Sequence, residues 1–192
     1  HGVAVNPKTN RIYVANEGSR ELTVIDGATN TVTATIALDS KPHGVAINPN
    51  TNRIYVVAEG NLLVIDGETN DIVGTVPDIS SPSSARGTVS VAVNPTTNRV
   101  YAFEGEDLAV IDGATNAVID TIDAMVIGHG AYGVAVNPAT NRVYVPTSVF
   151  GVSVVDGATH DLIAYVPAGG SAVAVDPETN RIYVTNNLSG LM

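Results

Sequence analysis

Apolar residues in this chain come in short runs, separated by clusters of Asn, Asp, Gly, Pro and Thr. The opening stretch shows the pattern. GVAV (Gly2–Val5), RIYVA (Arg11–Ala15), LTVID (Leu22–Asp26) and TVTATIAL (Thr31–Leu38) follow one another with turn-type residues between them. These runs are rich in Val, Ile, Thr and Tyr, and none carries a helical spacing over a useful length, so each predicts a strand. We label the strands A to D in chain order. The D run alternates apolar and polar residues, the signature of an outer strand with one wet face. The A run is small and apolar throughout, which suits the narrow end of a wedge where sheets crowd around an axis.

The same four runs then return. NPKTNRIYV at Asn6–Val14 is repeated as NPNTNRIYV at Asn48–Val56, NPTTNRVYA at Asn94–Ala102, NPATNRVYV at Asn137–Val145 and DPETNRIYV at Asp176–Val184. A second phrase lies between these copies: VIDGATN at Val24–Asn30, VIDGETN at Val64–Asn70, VIDGATN at Val110–Asn116 and VVDGATH at Val154–His160. The period of about 40–45 residues is that of a four-stranded propeller blade. The expected fold is therefore all-β, a β-propeller of four-stranded antiparallel blades, with four complete blades and half of a fifth. The blades are expected at about 1–42, 43–87, 88–131 and 132–170, with a partial one at 171–192.

The two phrases read as turns. NPxTNR joins strand A to B and DGxTN joins C to D, so both lie on one face of an up-and-down blade. Pro presets φ, Gly is expected to supply φ > 0, and Asn, Asp and Thr side chains bond nearby backbone N–H groups. Arg11, Arg53, Arg99 and Arg142 open B strands, next to where C strands end at Asp26, Asp66, Asp112 and Asp156. Four within-blade ion pairs are expected: Arg11–Asp26, Arg53–Asp66, Arg99–Asp112 and Arg142–Asp156. Exposed pairs of this kind contribute only ~0–1 kcal/mol each. The Tyr two residues after each Arg lies on the same side of the strand, and is expected to pack between blades.

RIYVAN and RIYVTN, preceded by GVAVNP and followed by VIDGATN, resemble the YVTN β-propeller repeat of surface-layer and secreted proteins. The resemblance runs along essentially the whole chain and includes the eponymous tetrapeptide at Tyr183–Asn186. It implies a propeller of about seven blades, similar to lactonase-like and nitrous-oxide-reductase-type propellers. It also implies an extracellular or cell-surface location. Blades 3 and 4 depart from the motif with VYAFEG and VYVPTS. The chain opens on His1 inside a strand-like phrase and ends after a B strand, so further blades are expected from a longer chain or from other chains.

Composition narrows the function. Hydrophobic residues make up 44% and the formal net charge is −10. Such a surface repels phosphate backbones and anionic lipid, and no apolar run is long enough to insert in a membrane as a helix. There is no Cys, hence no disulfide or thiolate chemistry. No G-x-S-x-G elbow, H-E-x-x-H motif or P-loop occurs. The variable D–A and B–C loops on the opposite face are where binding is expected. Three Glu-Gly pairs sit there, at Glu17, Glu59 and Glu104, and would form an arc of carboxylates able to hold Ca²⁺. His1 and His43 occupy matching positions at the start of strand A. The competing reading of all five residues is solvated or turn-stabilising side chains, with no cofactor. The expected function is a non-enzymatic extracellular scaffold that presents its loops to a protein or glycan, or self-assembles through blade completion. The alternative is a lactonase- or lyase-like enzyme with a metal or acid–base site at the channel mouth.

Overall fold

The computed structural model describes residues 2–79, 90–104, 106–148, 150–168 and 170–185. Four antiparallel sheets of four strands follow one another along the chain. The first is β1 (Val3–Asn6), β2 (Arg11–Asn16), β3 (Glu21–Asp26) and β4 (Thr31–Ala37); the second is β5 (Pro42–Asn48), β6 (Arg53–Ala58), β7 (Asn61–Asp66) and β8 (Ile72–Pro77). The third is β9 (Val91–Asn94), β10 (Arg99–Glu104), β11 (Asp107–Asp112) and β12 (Val118–Ile122). A single helical turn, α1 (Ala124–Ile127), precedes the fourth sheet: β13 (Ala135–Asn137), β14 (Arg142–Thr147), β15 (Gly151–Asp156) and β16 (Leu162–Val166). A hairpin of β17 (Val173–Asp176) and β18 (Arg181–Val184) ends the described chain. Strand order within each sheet is the order in sequence.

The sheets meet through their first strands: β1 touches β5, β5 touches β9, β9 touches β13 and β13 touches β17. The approach is close. A Cβ on Gly2 would lie 2.7 Å from the His43 carbonyl oxygen. The fourth strands lie outermost, and β4, β8, β12 and β16 are mostly exposed. In all four sheets the register slips by one residue between the third and fourth strands, at Val24/Ile25, Val64/Ile65, Val110/Ile111 and Val154/Val155. Such a bulge raises the local twist and splays the outer strand.

The core lies between sheets. Tyr13, Ala15, Leu22 and Val24 of the first sheet pack on Ile54, Val56 and Ile65 of the second. The second meets the third through Tyr55, Val57, Leu62 and Val64 against Val100 and Ile111. The period of two in each strand thus sends alternate residues to two different interfaces. This is why the B strands of inner sheets read as unbroken apolar runs, such as IYVVA. Each fully buried Leu or Ile contributes about 1.5–3 kcal/mol. The repeated Tyr stands at these interfaces: Tyr13, Tyr55 and Tyr101 are fully buried, whereas Tyr183 of the final hairpin is exposed.

Candidate functional site

The repeated turns are built as one interlocking unit. The first Asn of NPxTN (Asn6, Asn48, Asn94, Asn137) is fully buried in each case. Its Oδ1 accepts from the backbone N–H two residues on, at 2.9–3.1 Å. Its Nδ2 donates across the interface to the second Asn of the next sheet's phrase. These contacts are Asn6 to Asn52 (2.8 Å), Asn48 to Asn98 (2.7 Å), Asn94 to Asn141 (2.7 Å) and Asn137 to Asn180 (2.8 Å). A chain of side-chain amides therefore stitches all five copies together. The fifth copy carries Asp176 in place of the first Asn, and a carboxylate has no amide to donate.

The second Asn takes the left-handed conformation, with φ of 52–54° at Asn10, Asn52, Asn98, Asn141 and Asn180. Positive φ in DGxTN likewise falls on the last residue, at Asn30, Asn70, Asn116 and His160, and not on the glycine. This corrects the expectation that Gly27, Gly67, Gly113 and Gly157 serve by adopting φ > 0. Their reason is proximity: a Cβ on Gly113 would lie 2.5 Å from Asn98 Oδ1 and 2.8 Å from its carbonyl oxygen. The Gly113 N–H donates to that same carbonyl at 2.9 Å. The glycine is the face on which the left-handed Asn of its own sheet rests.

Each turn Asp is a cap. Asp112 Oδ1 accepts from the N–H groups of Ala114 (2.8 Å) and Thr115 (3.1 Å), and Asp26, Asp66 and Asp156 do the same in their turns. These backbone bonds, more than any Arg, hold the carboxyls below their usual range. Of the four expected ion pairs, Arg53–Asp66 and Arg99–Asp112 are in contact. Arg142 is exposed and lies outside ion-pair distance of Asp156, acting on it only at longer range. Arg11 turns away from Asp26 and donates across the interface to the Gly67 carbonyl at 2.5 Å. In the next two sheets that carbonyl position receives a tyrosine, Tyr55 to Gly113 (3.5 Å) and Tyr101 to Gly157 (3.4 Å). Arg11 has taken Tyr13's acceptor. The Tyr13 hydroxyl is left beside the guanidinium without a well-formed hydrogen bond. Burial raises all three phenols, Tyr101 to about 12.

Tyr101→Phe should lower stability by about 0.5–1.5 kcal/mol, while Tyr13→Phe should be neutral or stabilising, because it removes a buried hydroxyl that makes no well-formed hydrogen bond. Chemical denaturation of both variants checks the sign. Asp112→Ala should cost about 1–2 kcal/mol through two uncapped N–H groups, and Arg99→Gln at most ~1 kcal/mol. The depressed turn carboxyls also set an acid limb. Their stabilisation is present above the unfolded carboxyl pKa and is lost as pH falls through the folded one. Melting temperature should therefore decline steadily below about pH 4.

No family model matches this chain. A PE-PGRS family protein of Mycobacterium tuberculosis (strain ATCC 25618 / H37Rv), PE_PGRS18, is 57% identical over 42 residues, which is 22% of this chain and 9% of that protein. Among solved structures, Kuenenia stuttgartiensis hydrazine synthase superposes with a TM-score of 0.78 at 17% identity, covering 94% of this chain and 53% of that one. U3-55K gives 0.70 at 12% identity over 84% of this chain and 50% of that one, and the RRP9 WD40 repeats give 0.70 at 12% over 84% and 49%. The fold is a β-propeller. The chain spans about half the length of these structures and a small part of the curated relative.

On the loop face of the propeller, Glu17 and Glu59 each directly follow a B strand, whereas Glu104 is the last residue of one. Glu17 opens a four-residue loop between β2 and β3, and Glu59 opens a two-residue loop between β6 and β7. Glu104 is the last paired residue of β10, opposite Asp107, and its side chain lies outside the described residues. Glu59 is 3.8 Å from Lys41. His43 is half-buried on β5, and His1 lies outside the described residues. Among the described residues no group of three or more His, Asp or Glu could hold a metal ion. The loop after β8 falls largely within 80–89 and is also outside them.

Two histidine contacts were missed in the sequence. His160 Nδ1 lies 2.5 Å from Asp120 on the outer strand of the preceding blade, and His129 Nδ1 lies 2.6 Å from Glu106. His160 is visible in sequence as the departure from DGxTN, but its partner depends on how blades stack. Among the described residues, the most built-up D–A loop is the one after β12. Asp123 caps α1 through Met125 N–H (2.7 Å), and the loop then pairs along β14, with Tyr132 N–H donating to the Pro146 carbonyl (2.9 Å).

Proposed function

We propose that this propeller is a non-enzymatic interaction module of the cell surface or extracellular space, which presents its D–A and B–C loops to a partner. The observation that carries this reading is the contrast between the two faces. On one face, identical turns spend their polar groups on each other through the asparagine chain and the Asp caps. On the other, loops of different length and composition stand on a rigid frame, the usual seat of recognition. The protein-binding reading is also supported by the likeness to WD40-type folds, and the surface location by the YVTN-like repeat. The acidic surface favours a basic or neutral partner.

The test uses immobilised chain and an extract of the source cell's envelope proteins and glycans. One variant reverses charges on the turn face (Lys8→Glu, Glu68→Lys); another alters loops of the first two blades and the α1 loop together (Glu17→Lys, Lys41→Glu, Met125→Ser). Retention of a specific component should survive the first change and be lost with the second. Retention lost with the turn-face variant instead, or no specific retention at all, would reject the reading.

A further inference from the structure

α1 is held more firmly than one helical turn requires. Asp107 Oδ1 accepts from Ala124 N–H (2.7 Å), Ser153 Oγ donates to the Ile127 carbonyl (2.5 Å) and Tyr165 Oη donates to the Val126 carbonyl (2.6 Å). Ser148 Oγ donates to the His129 carbonyl at 3.0 Å just beyond it. These side chains come from two blades and from four different strands or loops. Ile127 is fully buried beneath the turn, yet Met125 is 77% exposed at its crest. Val126, Phe150 and Tyr165 beside it are each more than 40% exposed. They are contiguous: the Phe150 and Tyr165 rings lie 4.7 Å apart, Phe150 covers Gly128, and Tyr165 reaches the Val126 carbonyl. Scattered exposed apolar residues are ordinary, but a joined and pinned group is not.

The surroundings of this platform are acidic. Asp123, Asp107 and Glu106 border it, and between Val100 and Gly170 the sole Lys or Arg is Arg142, which opens β14 on the turn face. A second copy of the chain would bring the same carboxylates against these, so charge disfavours self-pairing here. Anionic lipid is disfavoured for the same reason. A sugar would need free donors and acceptors around the rings, and here Asp107, Ser148, Ser153 and Tyr165 are committed to holding the turn. Met and aromatic residues on a preorganised surface are instead what the centre of a protein interface contains.

We infer that Met125, Val126, Phe150 and Tyr165 form a docking platform for a protein segment that offers an apolar anchor flanked by Lys or Arg. This rests on the interaction-module reading and names one surface and one partner chemistry for it.

The probe is a synthetic amphipathic helical peptide with Leu at i, i+3, i+4 and i+7 and Lys elsewhere, compared with its Glu counterpart by fluorescence polarisation. The Lys peptide should bind the full chain and weaken at least tenfold in high salt; the Glu peptide should not bind. Met125→Ser should raise Kd about tenfold without moving the melting temperature, Phe150→Ser should raise Kd about tenfold with the chain still folded, and Val32→Ser, at an exposed site on β4, should leave Kd unchanged. Equal binding of the two peptides, unchanged binding by both platform variants, or no binding would overturn the inference. So would binding of the chain to neutral lipid vesicles through Met125, or a dimer in sedimentation that Met125→Ser abolishes. If Met125→Ser and Phe150→Ser keep full retention of the envelope component while other loop-face changes lose it, the platform is rejected and the interaction module stands.

Discussion

Asn94→Asp should destabilise the propeller by about 3–5 kcal/mol, the range for a buried charge left without its partner. Asn94 has no exposed surface, and its amide does two jobs. Oδ1 caps the turn through Thr96 N–H at 3.0 Å, and Nδ2 donates to Asn141 of the next blade at 2.7 Å. Aspartate keeps the first contact and turns the second into carboxylate against carbonyl oxygen, in a place water does not reach. Asn94→Ala removes both contacts without burying a charge and should cost less, about 1–3 kcal/mol. The order Asp worse than Ala is the distinctive part, because size and the retained turn cap alone would favour Asp. The protein carries its own control. Asp176 stands at the same position in the fifth copy, where the site is only half-buried, and its carboxyl is held low by the Thr179 hydroxyl and backbone. Asp176→Asn should therefore change stability little. Urea denaturation of the three variants, with slopes compared to ensure a common two-state transition, measures all of this. A smaller loss for Asn94→Asp than for Asn94→Ala would show that the cross-blade amide chain does not bear on stability.

Gly113→Ala should cost about 2–4 kcal/mol, at or above the upper end of overpacking penalties because two of the atoms met belong to fixed groups. The new methyl would fall 2.5 Å from Asn98 Oδ1 and 2.8 Å from the Asn98 carbonyl oxygen. Neither can retreat: the carbonyl receives the Gly113 N–H, and Oδ1 receives the Asn48 amide from the preceding blade. The disturbance should thus cross the interface, and Gly113→Ala combined with Asn48→Ala should cost less than the sum of the two single changes. Gly18→Ala is the matching control, since nothing lies within 4 Å of the added methyl. Equal losses at Gly18 and Gly113 would mean that chain flexibility, not contact, explains the repeated glycine.

The apolar runs and the turn phrases place the four strands of the first blade within about a residue, because a four-residue turn between β-branched runs leaves little freedom. They also place the innermost and outermost strands, since residue size and alternation answer directly to crowding and wetting. The arginine pairs show the limit. Register puts Arg11 opposite Asp26 just as it puts Arg99 opposite Asp112, yet the first Arg reaches for Gly67 in the neighbouring blade. Backbone register fixes where a long side chain starts and leaves open where it ends. The loop-face candidates show it again. Glu17, Glu59 and Glu104 share a dipeptide, but turns of unequal length separate their positions.

From the sequence alone came the repeat, the four-strand unit, its turn chemistry and the surface charge, all of which depend on residues near one another in the chain. Which face of each strand meets which neighbour, the amide chain from Asn6 to Asn180, the close rest of Gly113 on Asn98, and the pinned turn that lifts Met125 into solvent were decided only by the tertiary structure. The reason is physical: each joins atoms well separated along the chain, whose meeting is set by how turns close within a sheet and how one sheet packs upon the next.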